Sequence, residues 1–265
     1  MKIYVSVDME GISGIILREQ LMRGEPLYSE ARHLLTREVN AIVEGLLEAG
    51  VEQIVVKDAH ATGFNFIPEN LHPGAMYCMG GTPMNERFPG LDSSFDGAML
   101  IGYHGMAGTP RAVRDHTMSS ATYQRTELNG NPVGEIVLDA MLFGLHNVPV
   151  LLVTGDDATC REAEQALGSV HTYETKTAIT RHSALIKPPQ RVHSEIKKAV
   201  QQAVEERGIC RPLAIPGPYE LLLEMNSTDL ADSRYTDGET SIRLDGLRIL
   251  YKDDDYVRLL GRAMR

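Results

Sequence analysis

Residues 1–14 read MKIYVSVDMEGISG, an apolar, β-rich segment that runs straight into two carboxylates one residue apart and then a glycine. Lys2–Val7 carries apolar side chains at consecutive rather than alternate positions, the composition of a strand covered on both faces. Such strands belong to parallel sheets flanked by helices. Asp8 and Glu10 then stand where this strand leaves the core, and between Lys2 and Arg18 the sequence offers no basic side chain to neutralise them. Taken alone, Asp-x-Glu after a strand is more often a turn or a helix cap.

The neighbouring segments repeat the alternation. Ser29–Ala49 carries Leu35, Val39, Ile42 and Leu46 at helical spacing, with Gly50 as a C-terminal stop. QIVVKD (53–58) and GAMLIGYH (97–104) read as further strands, GEIVLDAMLFGLH (134–146) as a mostly buried helix, and VPVLLVTGDD (148–157) as a fourth strand. Asp156 or Asp157 can cap a following helix through Leu167, closed by Gly168. Asn129-Gly130 is a two-residue hairpin turn and implies an antiparallel flap beside the sheet. After Thr180 the composition shifts. A helix is expected over Ser194–Arg207, strands over Tyr219–Met225 and Ile242–Tyr251, and a last short helix. The expected fold class is α/β, a mostly parallel sheet covered by helices, with a smaller C-terminal α+β domain. The expected division is 1–180 and 181–265.

Each strand of the first unit places chemistry at its C-terminal end: Asp8 and Glu10, then Asp58 and His60, then His104. In an open parallel sheet those ends share one edge, where ligands bind. Histidine with carboxylate is a ligand set for Zn²⁺ or a similar divalent ion. Two carboxylates brought together in a dry pocket resist ionisation unless a cation lies between them, and a pair of ions ~3.5–4 Å apart can share an Asp and activate one water. Glu135, at the start of the helix after the hairpin, is a further candidate, since a carboxylate in the first turn suits the helix dipole. A single histidine ending a strand is more often a hydrogen-bonded core residue; the convergence of four such groups carries the argument. His33, His72, His146, His171, His182 and His193 fall outside any motif. Asp58 can either orient His60 or cap a turn, and helix capping accounts for Asp156 and Asp157.

The formal net charge of −10 argues against nucleic acid or an anionic membrane surface as partner, because both require a basic footprint. Cys78, Cys160 and Cys210 are scattered and lack CxxC spacing, which reads as reduced thiols in a cytosolic protein. No signal-peptide layout opens the sequence and no run approaches the ~20 apolar residues of a membrane span, so a cytoplasmic protein is expected. Neither an Arg cluster nor a Gly-rich phosphate loop adjoins the ligand candidates in sequence, which disfavours a phosphate substrate.

KIYVSVDMEGISG (2–14), VKDAH (56–60), GYHGMAGTP (102–110), HTMS (116–119) and NPVGE (131–135) followed by GDD (155–157) resemble the zinc-dependent D-aminopeptidase family, whose founding member belongs to a dipeptide-transport operon. The likeness runs in order through nearly all of the first unit and is less distinct beyond it. It implies two Zn²⁺ per subunit, bridged by Asp8, with Glu10, His60, His104 and Glu135 as the other ligands. It also implies His116 as catalytic residue, which we read as an acid or base, or an oxyanion donor, assisting a metal-activated water. Arg114 and Asp115 flank it without an assigned role. The implied activity is release of the N-terminal residue of short peptides of the D-Ala type by a homo-oligomer, in the family a decamer. Two alternatives stay open: a binuclear amidase or phosphoesterase acting on another cytosolic metabolite, and a non-catalytic dipeptide-binding protein.

Overall fold

The computed structural model describes residues 1–264. In chain order it contains β1 (Lys2–Val7), α1 (Arg18–Leu21), α2 (Tyr28–Glu48), β2 (Gln53–Asp58), β3 (Met76–Cys78), β4 (Gly97–Ile101), β5 (Tyr123–Leu128) and β6 (Asn131–Pro132). There follow α3 (Glu135–Gly144), β7 (Val150–Asp156), α4 (Asp157–Leu167), β8 (His171–Thr180), β9 (Ser183–Ile186) and α5 (Pro189–Glu205). The chain ends with β10 (Tyr219–Met225), α6 (Thr228–Asp232), β11 (Ser241–Arg243), β12 (Arg248–Asp253) and α7 (Tyr256–Ala263).

The first strand is central, as its composition requires. The larger sheet has the order β3-β2-β1-β4-β7-β8-β9, parallel throughout except for the β8–β9 pair. Val7 pairs with Asp58 on one side and Ile101 on the other, so the segments beginning at Asp8, Ala59 and Gly102 leave the sheet side by side. β1 is also where the chain changes direction across the sheet, with β2 on one flank and β4 on the other; open α/β sheets form their ligand crevices at such a point.

The helices cover both faces. α2 and α5 pack on one, burying Leu35, Val39, Ile42, Ile196 and Val200 against Ile3, Val5 and Val7. On the other face lies α3, buried on all sides because it is wedged between two sheets. Its Ile136, Leu138 and Phe143 join Tyr4 and Leu100 to Leu221, Leu223 and Ile249 of the smaller sheet in one core. That smaller sheet is antiparallel, with the order β11-β12-β10-β5-β6. Asn129 and Gly130, with φ of 50° and 78°, make the expected two-residue turn between β5 and β6, both in the left-handed region that such a turn demands.

Strands β2 and β10 and helix α4, the last capped by the Asp156 carboxylate on the Thr159 N–H, lie where the sequence places them. Ile242–Tyr251, expected as one strand, is two. Asp245 accepts the N–H groups of Leu247 and Arg248 and turns the chain back, so that β11 pairs with β12. β9 extends the larger sheet beyond residue 180, α5 packs on α2, and β5–β6 enter the smaller sheet from within the first 180 residues. No helix of the described residues is long and apolar enough to cross a membrane.

Candidate metal centre

Asp8 is the pivot of the site. Its two oxygens face different partners: Oδ1 lies 3.0 Å from His60 Nδ1, and Oδ2 lies 3.3 Å from His104 Nε2. Glu10 Oε2 lies 3.1 Å from the same His60 nitrogen, and Glu135 Oε1 lies 3.3 Å from the same His104 nitrogen. The carboxylates and imidazoles therefore fall into two groups that share Asp8. All five side chains are buried.

Main-chain carbonyls select the tautomers. His60 Nε2–H donates to the Leu21 carbonyl at 3.1 Å, and His104 Nδ1–H donates to the Gly105 carbonyl at 3.0 Å. Each neutral ring thereby directs its lone pair at the carboxylates, the arrangement in which an imidazole serves as a metal ligand. Glu10 Oε2 and His104 Nε2 are buried without a hydrogen-bond partner. Lone pairs aimed at carboxylates in a dry pocket repel one another, and either protons or cations must lie between them. Burial opposes charge on His60 and His104, yet the carboxylates more than offset it and raise both rings' proton affinity well above the ordinary value. Burial likewise pushes Glu135 up, but His104 and His116 bring it down to about 2. A site with this hunger for positive charge and N/O donors fits Zn²⁺. The donor atoms of Asp8, Glu10 and His104, and those of His104, His116 and Glu135, each lie within 4.8 Å of one another.

The loop after β1 is shaped by residues far away in sequence. Lys176 of β8 is buried and donates from Nζ to the carbonyls of Glu10 (2.5 Å), Ile12 (2.8 Å) and Ile15 (2.5 Å). Thr175 Oγ1 donates to the Gly11 carbonyl at 2.6 Å. Gly11 N–H bonds to the Gly102 carbonyl at 2.7 Å, and a Cβ at position 11 would sit 2.1 Å from the Tyr103 carbonyl oxygen, so the strand-end loops meet only because no side chain intervenes.

Glu135 is the first residue of α3, and its Oε1 accepts the Met118 N–H at 2.7 Å. One turn on, Asp139 takes both Nε (2.5 Å) and an Nη (2.9 Å) of the partly buried Arg87, whose same Nη lies 3.5 Å from Glu135 Oε2. Tyr103 Oη donates to Asp139 at 2.6 Å and also meets Ser6 Oγ at 2.8 Å. His116 stacks on His104, centroids 3.9 Å apart and planes 11° from parallel; its Nδ1–H donates to the Arg114 carbonyl at 2.9 Å, and its Nε2 lies 3.7 Å from Glu135.

All six site residues expected from the sequence thus converge. Asp58 does not orient His60; it accepts from the N–H groups of Asn65 and Phe66 and from Asn65 Nδ2, and so fixes the loop beyond His60. Asp156 caps α4 and also takes the Val113 N–H at 2.6 Å, tethering the loop that leads to His116. The six other histidines do not line the cavity over the site. Arg87 and Lys176 carried no signal in the sequence, whereas Asp139 did: it stands four residues from Glu135 on one face of the helix.

The cavity holds about 430 Å³ and is lined by Asp8, Glu10, His60, His116 and Glu135 together with three arginines, Arg18, Arg87 and Arg114, which are not clustered in sequence. Larger clefts of 550 and 720 Å³ open on the smaller sheet around Arg262, but there Asp253 is engaged by Arg258 and Arg262 and no comparable donor set converges. Donor chemistry, not volume, places the site.

Comparison with known proteins gives one consistent result. The sequence profile of the D-aminopeptidase family matches residues 1–264. A curated D-aminopeptidase of Bacillus subtilis (strain 168) is 34% identical over 224 residues, covering 84% of this chain and 81% of its own length. The solved structure of the Zn-dependent D-aminopeptidase DppA from Bacillus subtilis, described as a self-compartmentalizing protease, superposes with a TM-score of 0.92 at 30% identity, covering 100% of this chain and 95% of its own.

Proposed function

The chain belongs to the D-aminopeptidase family, and from that premise and its donor set we propose that it is a binuclear zinc aminopeptidase that releases the N-terminal residue, of the D-Ala kind, from short peptides. The observation that carries this reading is the split of Asp8: one oxygen faces His60 and Glu10, the other side faces His104 and Glu135, with Glu10 Oε2 and His104 Nε2 left without hydrogen-bond partners. Asp8, Glu10 and His60 would hold one ion, and Asp8, His104 and Glu135 the second. When bound, zinc supplies Lewis acidity toward the scissile carbonyl and brings the ionisation of water into the neutral range.

The rest falls to the protein. The acidic cluster attracts the free ammonium of the substrate. Arg87, held by Asp139, faces Oε2 of Glu135, so that Oε1, oriented by the Met118 N–H, would offer its remaining lone pair for ligation. His116, its Nδ1–H held by the Arg114 carbonyl, presents Nε2 to the cavity, takes a proton from the attacking water and returns it to the leaving amine. We further propose that copies of the chain assemble around enclosed sites, as a decamer, and that the enzyme works in the cytoplasm.

The test is elemental analysis after zinc reconstitution, followed by assays of D-Ala-D-Ala, L-Ala-L-Ala and a phosphate monoester before and after chelation. Two zinc ions per subunit and chelator-sensitive cleavage of D-Ala-D-Ala are expected. Fewer than one ion per subunit removes the binuclear reading. Bound zinc with no cleavage of either peptide removes the peptidase reading, and phosphate release would replace it.

A further inference from the structure

Arg114 is a cation without an anion. It is half-buried in the wall of the site cavity, its Nε is buried with no hydrogen-bond partner, and among the described residues no carboxylate lies within ion-pair distance of its guanidinium. Its one side-chain contact is a 3.5 Å approach of an Nη to His182 Nδ1. The neighbouring Arg181 is by contrast paired with Asp115 at 2.6 Å, and Arg18, which lines the same cavity, with Glu25 at 3.4 Å. Burial and then the nearby Arg181 guanidinium work against the charge on Arg114, Glu10 pulls the other way, and Arg18 and Glu19 add smaller, opposed contributions. A half-buried guanidinium left in that state is a binding group awaiting its partner.

The backbone holds Arg114 in register with His116. Its φ of 55° lies in the left-handed region, its N–H bonds to the Arg181 carbonyl at 3.1 Å, and its own carbonyl accepts His116 Nδ1–H at 2.9 Å. The group that meets the leaving nitrogen and the unpaired cation are therefore coupled by a hydrogen bond. In a dipeptide the terminal carboxylate hangs from the Cα attached to that same leaving nitrogen, within roughly 3.5 Å of chain.

We propose that Arg114 receives the free C-terminal carboxylate of the peptide substrate and thereby makes the enzyme selective for short peptides with an unblocked C-terminus. The inference rests on the aminopeptidase reading and names a substrate feature that the metal ligands cannot read. A planar, two-pronged guanidinium matches a carboxylate, and of the three in this wall Arg18 is paired with Glu25 and Arg87 with Asp139, which leaves Arg114 free to do so.

The experiment compares D-Ala-D-Ala with its C-terminal amide on the zinc-loaded enzyme, in wild type, Arg114→Ala and Arg114→Lys. Wild type should favour the free acid by about ten- to a hundredfold in kcat/KM, expressed chiefly in KM. In Arg114→Ala the acid-to-amide ratio should collapse toward one, and Arg114→Lys should restore part of it. Equal treatment of acid and amide by wild type, or an unchanged ratio in Arg114→Ala, overturns the proposal. Calorimetric binding of the non-cleavable methyleneamine analogue of D-Ala-D-Ala and its amide separates this inference from the activity. Preference for the acid analogue, lost in Arg114→Ala, upholds the carboxylate site even if no peptide is cleaved, in which case only the aminopeptidase reading falls. Equal binding of the two analogues overturns the carboxylate site whatever the activity.

Discussion

At the scale of single residues, His116 and Glu162 separate chemistry from stability. Replacing His116 by Ala should lower turnover of D-Ala-D-Ala by ~10²-fold or more while zinc per subunit stays unchanged; loss of metal in that variant would make it a ligand instead, and unchanged turnover would remove it from the mechanism. Glu162 lies under the loop beyond His104, with Oε2 accepting the Met106 N–H at 2.7 Å and Oε1 buried and unpartnered. Burial raises its pKa from 4.5 to about 7, against the pull of the Met106 amide and His104. Below pH 4.5 both folded and unfolded chains carry the proton; between 4.5 and 7 only the folded chain keeps it, so the stabilisation fades as pH rises through 7. Glu162→Gln imitates the protonated form. Its melting temperature relative to wild type should therefore rise from pH 5 to pH 8, by the equivalent of up to about 3 kcal/mol, and an equal difference at both pH values would contradict the assignment. The ligand residues were legible because they end strands or open a helix, positions that local pattern reveals. Arg87 and Lys176 were not, because what they touch is decided by the assembly of distant segments.

At the scale of elements, the loop after β1 depends on a strand laid down much later. Lys176→Met keeps the length of the side chain but leaves the carbonyls of Glu10, Ile12 and Ile15 without their donor in the interior. At about 1–3 kcal/mol for each orphaned acceptor, several kcal/mol of stability should be lost in denaturant unfolding, and zinc affinity should fall with it; a variant that retains wild-type stability and metal would show the clamp to be dispensable. The sequence located β1, β2, β10, α2 and α4 well, since periodicity and caps mark them. It did not reveal β3, which is short, or β8 and β9, whose threonines, charges and exposed Leu185 and Ile186 hide the strand pattern. The break at Asp245 escaped because strand-forming residues stand on both sides of a turn made by one carboxylate.

At the scale of the whole molecule, the site is a joint between layers. β1, β2 and β4 bring Asp8, Glu10, His60 and His104, while α3, fixed by both sheets, brings Glu135. Holding a cation there should stabilise the entire fold, not only the loops. Stripping zinc by chelation at neutral pH is expected to lower the melting temperature by about 10 °C, the effect of ligand at ~1,000 times its Kd on a chain of this size; an unmoved transition would mean that the donor set binds no metal. The layered plan was readable in advance from buried strands alternating with helices. The interlocking of the smaller sheet was not, because pairing across long stretches leaves no local trace. That pairing also has a bearing on biogenesis. Leu128 of β5 is opposite Leu221 of β10, so during synthesis β5 waits for a partner made roughly 90 residues, or on the order of 5–20 s, later. Throughout that interval an unpaired strand edge and the outer face of α3 stand open to other nascent chains. Lower growth temperature and added chaperone should then raise the yield of folded enzyme.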